Sequence, residues 1–561
     1  MSDVDSAAPG GLRALAPAAR RLLWAAVALG LLLRLAFALL PLSRHLMLLE
    51  DDAWMVTAIA RNFAEGKGIT ADGVNPTNGF HPLYTLTLGA LPYLFTDNLD
   101  AGFTASLLIC AVLSALVMWP LWRLASHLGG ERAALVAVAL YALNPLAIRL
   151  TVNAMETAMA LLMWTTLAWA ALAWDLRSLK ANLVLAALTA ATILTRLDAS
   201  LLFAAIAGAR FLWAWRERRL RAELPLLSAY VAATFALLAP YFIRNQLVFG
   251  SLSPSSGQAL VMLHSYAGSY ALSNGLQAWY LNHLLPLEWL PSPLLMAALL
   301  AGLATLAWRL IGRALWRALP LWLYLLAVPI YYGYLMQHKN ERYFVGFSIV
   351  LTVLAGWLIA RSMATRPRWG RWAPLAALGL TAIQVVTAAR IWGEAATAPS
   401  LTQPTMHAMA LWVRDNLPAD AVLGAKNSGI YQYYSGHTVI NLDGKLNHEI
   451  LPALAQRRLS EYIRSKGIAY LVDREETLTE HVMFYSAEYA QAKPHRPPAL
   501  GERIGIYAAL AGKSLGFGPG PALDRYGTFT VVQPFTATAT IIERMERPNE
   551  ARNPVVVFEL K

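Results

Sequence analysis

Long uninterrupted apolar runs fill the first two-thirds of this chain, and they constrain its fold more than any other feature. A helix of about 20 apolar residues matches the thickness of the hydrocarbon core of a bilayer. In lipid such a segment is helical, because no water is present to satisfy its backbone amides and carbonyls. Runs of this kind occur near 22–41, 103–125, 133–150, 157–174, 182–195, 199–214, 224–242, 291–309, 318–336, 344–361 and 373–390. The expectation is an α-helical polytopic membrane protein of about eleven transmembrane helices. Phe80–Phe95 is also apolar and by itself reads as a twelfth span or as a helix lying along the interface.

Charge placement decides between eleven and twelve. Lysine and arginine concentrate in cytoplasmic loops. With the N-terminus inside, the inner loops carry Arg13, Arg20 and Arg21; Arg123 and Arg132; Arg177 and Lys180; then Arg216, Arg218, Arg219 and Arg221. Arg309, Arg313 and Arg317 follow, and then Arg361, Arg366, Arg368 and Arg371. The outer loops carry instead Glu50, Asp51, Asp52, Glu65, Asp72, Glu156, Asp198 and Glu341. Counting Phe80–Phe95 as a span would put the later basic loops outside, so eleven is the better number. Orientation in the bilayer thus accounts for the net charge of +12, and no nucleic acid is implied. Cys110, the single cysteine, rules out an intramolecular disulfide and a cysteine metal site. The first apolar run is longer than a signal-peptide core and no small-residue cleavage site follows it, so it reads as a retained span.

After about residue 392 the pattern changes. Thr405–Asn416 and Leu451–Ser465 read as helices, and Ala421–Gly424, Thr438–Asn441 and Ile468–Val472 as strands. Residues 1–392 are expected to form the membrane domain, and residues 393–561 a C-terminal α/β or α+β domain. An odd number of spans places that domain on the extracytoplasmic side.

The chemistry concentrates at the outer end. Leu49-Glu50-Asp51-Asp52 puts three consecutive acids directly after the first span. A single acid there would read as an N-cap carboxylate of the helix that follows. Three together at a membrane boundary mark a functional site. Ile69–Pro82 is rich in turn and polar residues yet re-enters an apolar stretch, as a ligand-holding loop would. The same topology brings Glu156, Arg196, Asp198, Arg244, Lys339, Glu341 and Arg342 to that face. Local ion pairing accounts equally well for Arg196 with Asp198 and for Glu341 with Arg342. Arg34, within the first span, is expected to pair inside the helix bundle or to reach out to the interface.

As an ensemble these residues resemble the GT-C superfamily of membrane glycosyltransferases, which includes aminoarabinose, mannosyl and arabinofuranosyl transferases. The resemblance rests on Asp51-Asp52 with Ile59-Ala60-Arg61-Asn62 and Glu65-Gly66-Lys67-Gly68. It continues through Asn75-Pro76-Thr77-Asn78-Gly79-Phe80-His81-Pro82, Met155-Glu156-Thr157, Arg196-Leu197-Asp198, Arg342-Tyr343-Phe344 and Asn441-Leu442-Asp443-Gly444. It implies an inverting enzyme of the cell membrane that takes a sugar from a polyprenyl-phosphate donor. The acceptor would be a hydroxyl of an envelope glycan, lipid or protein. It further implies Asp52 as general base, nine residues before Arg61, with Asp51 as runner-up and Glu156 as the second acidic position. Some relatives hold a divalent metal (magnesium or manganese) there, for which Asp51 and Glu156 are the candidates. The donor phosphate and substrate would be bound by Arg342 first, and by Arg196, Lys339, Arg244, His81, Asn78 and Tyr343. Lys426, Tyr431, Tyr433, Tyr434, His437 and Asp443 are sugar-contact candidates, although a packed aromatic core explains each of them as well. A polytopic lipid or glycan transporter or flippase is the rival reading. It would be expected to show related halves and charge at the midplane, neither of which is evident.

Overall fold

The computed structural model describes residues 16–267, 311–332, 340–365, 403–492, 529–531, 538–545 and 554–561, with isolated positions between them. Helix α1 (Pro17–Ala38) is followed by α2 (Leu42–Leu48) and α3 (Asp52–Ala64). A short α4 (Pro82–Thr85) leads to α5 (Leu99–Leu116), α6 (Met118–Ala142) and α7 (Pro145–Thr151). Next come α8 (Thr157–Ala173), α9 (Leu179–Thr195), α10 (Ser200–Arg216), α11 (Leu220–Phe249) and α12 (Ser255–Ala267). Further helices cover Leu319–Ile330 and Val345–Thr365.

Among the described residues, five stretches are long and apolar enough to cross a membrane: Pro17–Ala38, Leu99–Ala142, Leu197–Arg216, Leu220–Phe249 and Glu341–Ala364. Shorter apolar helices are Thr157–Ala173, Leu179–Thr195 and Ala314–Val328. The Leu99–Ala142 stretch is two passes. As one straight helix its 44 residues would extend about 66 Å, twice the hydrocarbon thickness. Yet the Ser114 and Tyr141 hydroxyls lie 3.0 Å apart, so the chain between them doubles back. Its corner is Gly130, at φ 79° and ψ 178°, a conformation that residues with a Cβ avoid. This matches the separate runs 103–125 and 133–150 read from the sequence. The expected spans 291–309 and 373–390 lie largely outside the described residues. Phe80–Phe95 holds only α4 and a single 3-10 turn at Leu91–Leu94, so it does not span.

Arg34 is fully buried and faces the bundle. Its guanidinium donates to Ser114 Oγ at 2.7 Å, Ala142 O at 2.9 Å and Tyr141 O at 3.2 Å. The last two are carbonyls in the final turn of α6, of which Tyr141 O also accepts the Asn144 N–H at 3.4 Å, and a cation there is favoured by the helix dipole. Structural pairing explains this arginine, as the sequence suggested.

The C-terminal part builds a five-stranded sheet in the order β2-β1-β3-β7-β6. Here β1 is Val422–Ala425, β2 Thr438–Asn441 and β3 Tyr470–Arg474; β4 is Ala490–Ala492, β5 Phe529–Val531, β6 Ala539–Met545 and β7 Val555–Leu560. Strands β1, β2 and β3 are parallel and connect through helices, whereas β7 runs antiparallel to β3 and β6 antiparallel to β7. Val555, Val556, Val557 and Phe558 are all fully buried, as both faces of a central strand must be.

A short helix of the sheet domain, Gly429–Tyr434, lies along α3 and helps to fasten that domain to the first loop of the membrane part. Asp51 accepts the Gly429 and Ile430 N–H groups, both at 2.9 Å, at that helix's start. Arg61 donates to the Tyr433 and Gln432 carbonyls at 2.8 and 3.3 Å at its end. The Arg61 cation at the C-terminus complements the backbone dipole. Aromatic contacts reinforce the seam. Phe103, stacked on Trp54 at 5.0 Å, meets the Tyr433 ring edge-on at 6.3 Å, and the Tyr93 and Tyr433 hydroxyls hydrogen-bond at 2.9 Å.

Candidate active site

A cavity of about 1030 Å³ lies where α3, the loop before α4, the α9–α10 turn, α12 and the Glu341–Phe344 turn meet. One end is charged, with Asp52, Glu156, Arg196, Asp198, Arg342 and Lys445 in its wall. The other is apolar, lined by Ile193, Phe203, Phe235, Leu238, Phe242 and Leu252. Phe235 is 59% and Leu252 55% exposed, so the apolar part of the wall is open to the surroundings.

Asp52 opens α3, where the helix dipole favours an anion. Its carboxylate accepts a hydrogen bond from Arg342 Nη2, and its other oxygen lies 4.0 Å from Lys445 Nζ. Arg342 is aimed by its turn. Asn340 Oδ1 accepts the Arg342 N–H at 3.1 Å, and the Asn340 amide also holds Glu50 at 2.8 Å. Glu50 in turn lies 3.4 Å from Arg342 Nη1. At 26% side-chain exposure, Asp52 remains open to the cavity.

Beside this pair sits a second, drier cluster. Arg196 grips Asp198 with two parallel bonds of 3.0 and 2.9 Å and gives its remaining nitrogen to Glu156 at 3.2 Å. Both members of the Arg196–Glu156 pair are nearly sealed, at 7% and 4% exposure. The Tyr332 hydroxyl also donates to Asp198. His81 Nε2 approaches Glu156 at 3.8 Å. Burial lowers the His81 pKa, Glu156 opposes that, and the net shift is downward, which favours the neutral ring. Tyr343 underlies both clusters, with the Arg196 and Arg342 guanidinium carbons 5.1 and 5.5 Å from its ring centre.

The structure therefore brings Asp52, Glu156, Arg196, Arg342, His81 and Tyr343 to one cavity. Other expected members fall elsewhere. Asp51 points away, onto Gly429 and Ile430. Burial pushes its carboxyl up to about 7 against the pull of those two amides. Arg244 does not line the cavity; its guanidinium sits 5.5 Å over Phe249 on its own helix. Its position in sequence placed it near the right level, and the rotation of α11 turned it away. Asn78 accepts the Ser255 N–H at 3.0 Å and holds the start of α12 rather than facing the cavity. Glu341 pairs with Arg149 at 2.8 Å. Lys339 lies outside the described residues. The aromatic candidates Tyr431, Tyr433 and Tyr434 are buried packing residues, and His437 bonds Ser435 and Pro418 carbonyls at 2.9 and 3.0 Å.

The donor set does not suit the metal that the resemblance allows. Asp51 is committed to backbone amides, and Glu156 and Asp198 to Arg196. Among the described residues no group of three or more His, Cys, Asp or Glu side chains could hold an ion.

Lys445 is the residue that the sequence reading passed over. It follows Asn441-Leu442-Asp443-Gly444 directly, and Gly444 turns the chain at φ 82°. Its ammonium lies 3.4 Å from Asp443. Burial pulls its pKa down, but Asp443 and Asp52 more than offset this and hold it above the usual lysine range. Its carbonyl accepts the Ser255 hydroxyl at 2.9 Å and presses on Gly79, where a Cβ would stand 1.8 Å from the carbonyl oxygen. Gly79 is thus required by a close approach of backbone to backbone.

Residues 82–243 match the family model described as Dolichyl-phosphate-mannose-protein mannosyltransferase. Residues 393–511 match the model described as Domain of unknown function (DUF8728). No curated protein matches the chain. Among solved structures, the chain resembles the oligosaccharyltransferase AglB from Archaeoglobus fulgidus in complex with an inhibitory peptide and a dolichol-phosphate. The TM-score is 0.50 at 12% identity, over 84% of this chain and 72% of that one. The Archaeoglobus fulgidus oligosaccharyltransferase in complex with zinc and sulfate gives 0.52 at 13%, over 91% and 72%. ArnT from Cupriavidus metallidurans bound to undecaprenyl phosphate gives 0.48 at 16%, over 80% and 93%. At 12–13% identity the likeness to the two Archaeoglobus structures is one of fold.

Proposed function

We propose that this membrane glycosyltransferase of the GT-C class takes a sugar from a polyprenyl-phosphate donor and inverts its anomeric carbon, with Asp52 as general base. The observation that carries the reading is one cavity with two unlike ends. An Asp52–Arg342 pair stands in a charged wall, and an open apolar part of the wall adjoins it. A lipid-linked sugar has the same division. Its isoprenoid chain is accommodated by apolar surface, and its phosphate by a guanidinium whose fork matches two phosphate oxygens.

In the proposed step an acceptor hydroxyl oxygen attacks the anomeric carbon as the carbon–oxygen bond to phosphate breaks. The hydroxyl proton passes to Asp52, and the bonding electrons leave with the polyprenyl phosphate. Attack from the face opposite the leaving group inverts the centre. A carboxylate fully paired with Arg342 is a poor base. Donor binding raises its basicity, because the phosphate competes for the guanidinium and leaves Asp52 with a weaker partner. Arg342 then faces the charge that develops on the departing phosphate. The Arg196–Asp198–Glu156 cluster keeps the adjoining wall rigid, and neutral His81 can hydrogen-bond sugar hydroxyls there.

The acceptor in this reading is a hydroxyl of an envelope glycan, lipid or protein. The protein sits in the cell membrane with about eleven spans. Its N-terminus is cytoplasmic, and residues 393–561 form an extracytoplasmic domain. Supporting that orientation, α10 separates the acidic site from the basic Arg216–Arg221 turn by about 24 Å, and basic turns face the cytoplasm. The test is Asp52→Asn in membranes supplied with lipid-linked sugars. Transfer should fall by roughly 10²–10⁴-fold in a folded variant. Retained transfer would remove Asp52 from the role.

A further inference from the structure

We infer that Lys445, a residue of the sheet domain, is a donor-phosphate-binding group of the catalytic cavity, which makes the active site a composite of both parts of the chain. The inference rests on reading that cavity as a lipid-phosphate site.

Three observations carry it. The first is position. Lys445 lines the cavity beside Asp52, at the carboxylate oxygen that Arg342 does not hold: Arg342 holds one oxygen, and the Lys445 ammonium lies 4.0 Å from the other. A phosphate entering next to Asp52 would therefore meet two cations.

The second is availability. The Arg196 fork is locked by Asp198 and Glu156, and releasing it would leave two buried carboxylates without their partner. Lys445 is a point charge on a flexible stem, with Asp443 at 3.4 Å and Asp52 at 4.0 Å. An ammonium can swing between oxygen partners without losing a bidentate geometry, which a guanidinium cannot.

The third is construction. A lysine that merely happened to reach the cavity would need no special backbone. Here the Lys445 N–H donates to Asp443 Oδ1 at 2.9 Å, its carbonyl takes the Ser255 hydroxyl, and Gly79 lacks the side chain that would hold that carbonyl off. The next residue is fixed too, with the Leu446 N–H on Asn441 Oδ1 at 3.2 Å. Loops from the membrane part and the sheet domain converge on this one residue. The Asn78-Gly79 segment and the Asn441–Lys445 turn are thereby given a shared purpose, the placement of a cation in the site.

The experiment uses the purified full-length chain in detergent, with undecaprenyl phosphate as the probe and undecaprenol as its phosphate-free control. Wild type should bind the phosphate more tightly than the alcohol. Lys445→Gln should weaken undecaprenyl phosphate binding by roughly 10–100-fold and leave undecaprenol binding unchanged, with Lys445→Arg recovering most of the loss. Asp443→Asn keeps the acceptor for the Lys445 N–H and should bind the phosphate at least as tightly as wild type. A purely structural Lys445–Asp443 pair would instead make Asp443→Asn resemble Lys445→Gln, and that result overturns the inference. So does wild-type affinity in a folded Lys445→Gln protein. Failure of wild type itself to distinguish phosphate from alcohol would discard the lipid-phosphate reading, and the inference with it.

Discussion

Replacing Gly79 with alanine tests whether the two parts of the chain share one active site. The new Cβ would stand 1.8 Å from the Lys445 carbonyl oxygen and 2.8 Å from its carbonyl carbon, whereas real Cβ contacts essentially never fall under 3.0 Å. The Asn441–Lys445 turn must therefore retreat by roughly 1.2 Å, since the contact is backbone and no flexible side-chain end can yield. Such a retreat also stretches the 2.9 Å bond from Ser255 Oγ and carries the Lys445 ammonium away from Asp52. A displacement of about 1 Å within a reacting constellation can cost about 100-fold in rate, or about 2.7 kcal/mol of transition-state stabilisation. The lost bond to Ser255 adds about 1 kcal/mol to the stability cost. The assay is transfer from a lipid-linked sugar pool in membranes, alongside a thermal melt of the purified protein. The expected result is a large loss of transfer in a protein that still melts cooperatively a few degrees below wild type. Wild-type transfer by Gly79→Ala would refute the reasoning, because it would mean that the position of Lys445 does not matter to the reaction.

Asp51→Asn should change how stability depends on pH. Asp51 titrates at about 7 in the folded protein but at about 4 when unfolded, so between those values the folded state keeps a proton that the unfolded chain has lost. Wild-type melting temperature should therefore fall from pH 4.5 to pH 7 relative to Asp51→Asn; parallel curves would show that Asp51 is not held this way. Arg61→Met removes both bonds to the carbonyls at the end of the Gly429–Tyr434 helix and should lower stability by about 1–2 kcal/mol. A loss below about 0.3 kcal/mol in denaturant titrations would mean that water replaces the guanidinium at no cost. Arg34→Met removes the guanidinium from the Ala142 carbonyl and the Ser114 hydroxyl inside the bundle and should cost about 2–3 kcal/mol, read as a lowered melting temperature with transfer by the surviving folded fraction unchanged.

What the sequence determined by itself was whatever depends on local patterning. Apolar runs fixed most of the spans, because lipid leaves the backbone no alternative to a helix. The basic loops distinguished one end of the bundle from the other, and alternating patterns located β1, β2, β3 and the helical stretch Leu451–Ser465, which the structure divides into Leu451–Ala455 and Leu459–Ser465, but not the Gly429–Tyr434 helix. The first-loop acids drew attention to this region, because three charges at a membrane boundary need a reason to be there, and one of them, Asp52, lies in the cavity wall. Only the tertiary structure decided which of those charges meet. Asp52 and Arg342 are 290 positions apart, and nothing in either neighbourhood announces the pairing. Asp51 and Asp52 are adjacent, yet one clamps the sheet domain and the other faces the cavity, because successive residues at a helix start point in different directions. Arg244 sat at the right height on α11 and on the wrong side of it. Lys445 was invisible because its place in the cavity wall depends on a carbonyl approaching Gly79 across more than three hundred residues. Hydropathy and periodicity report on a residue's own turn of helix or strand. The meeting of distant backbones is set by how those elements pack, which no short window of sequence contains.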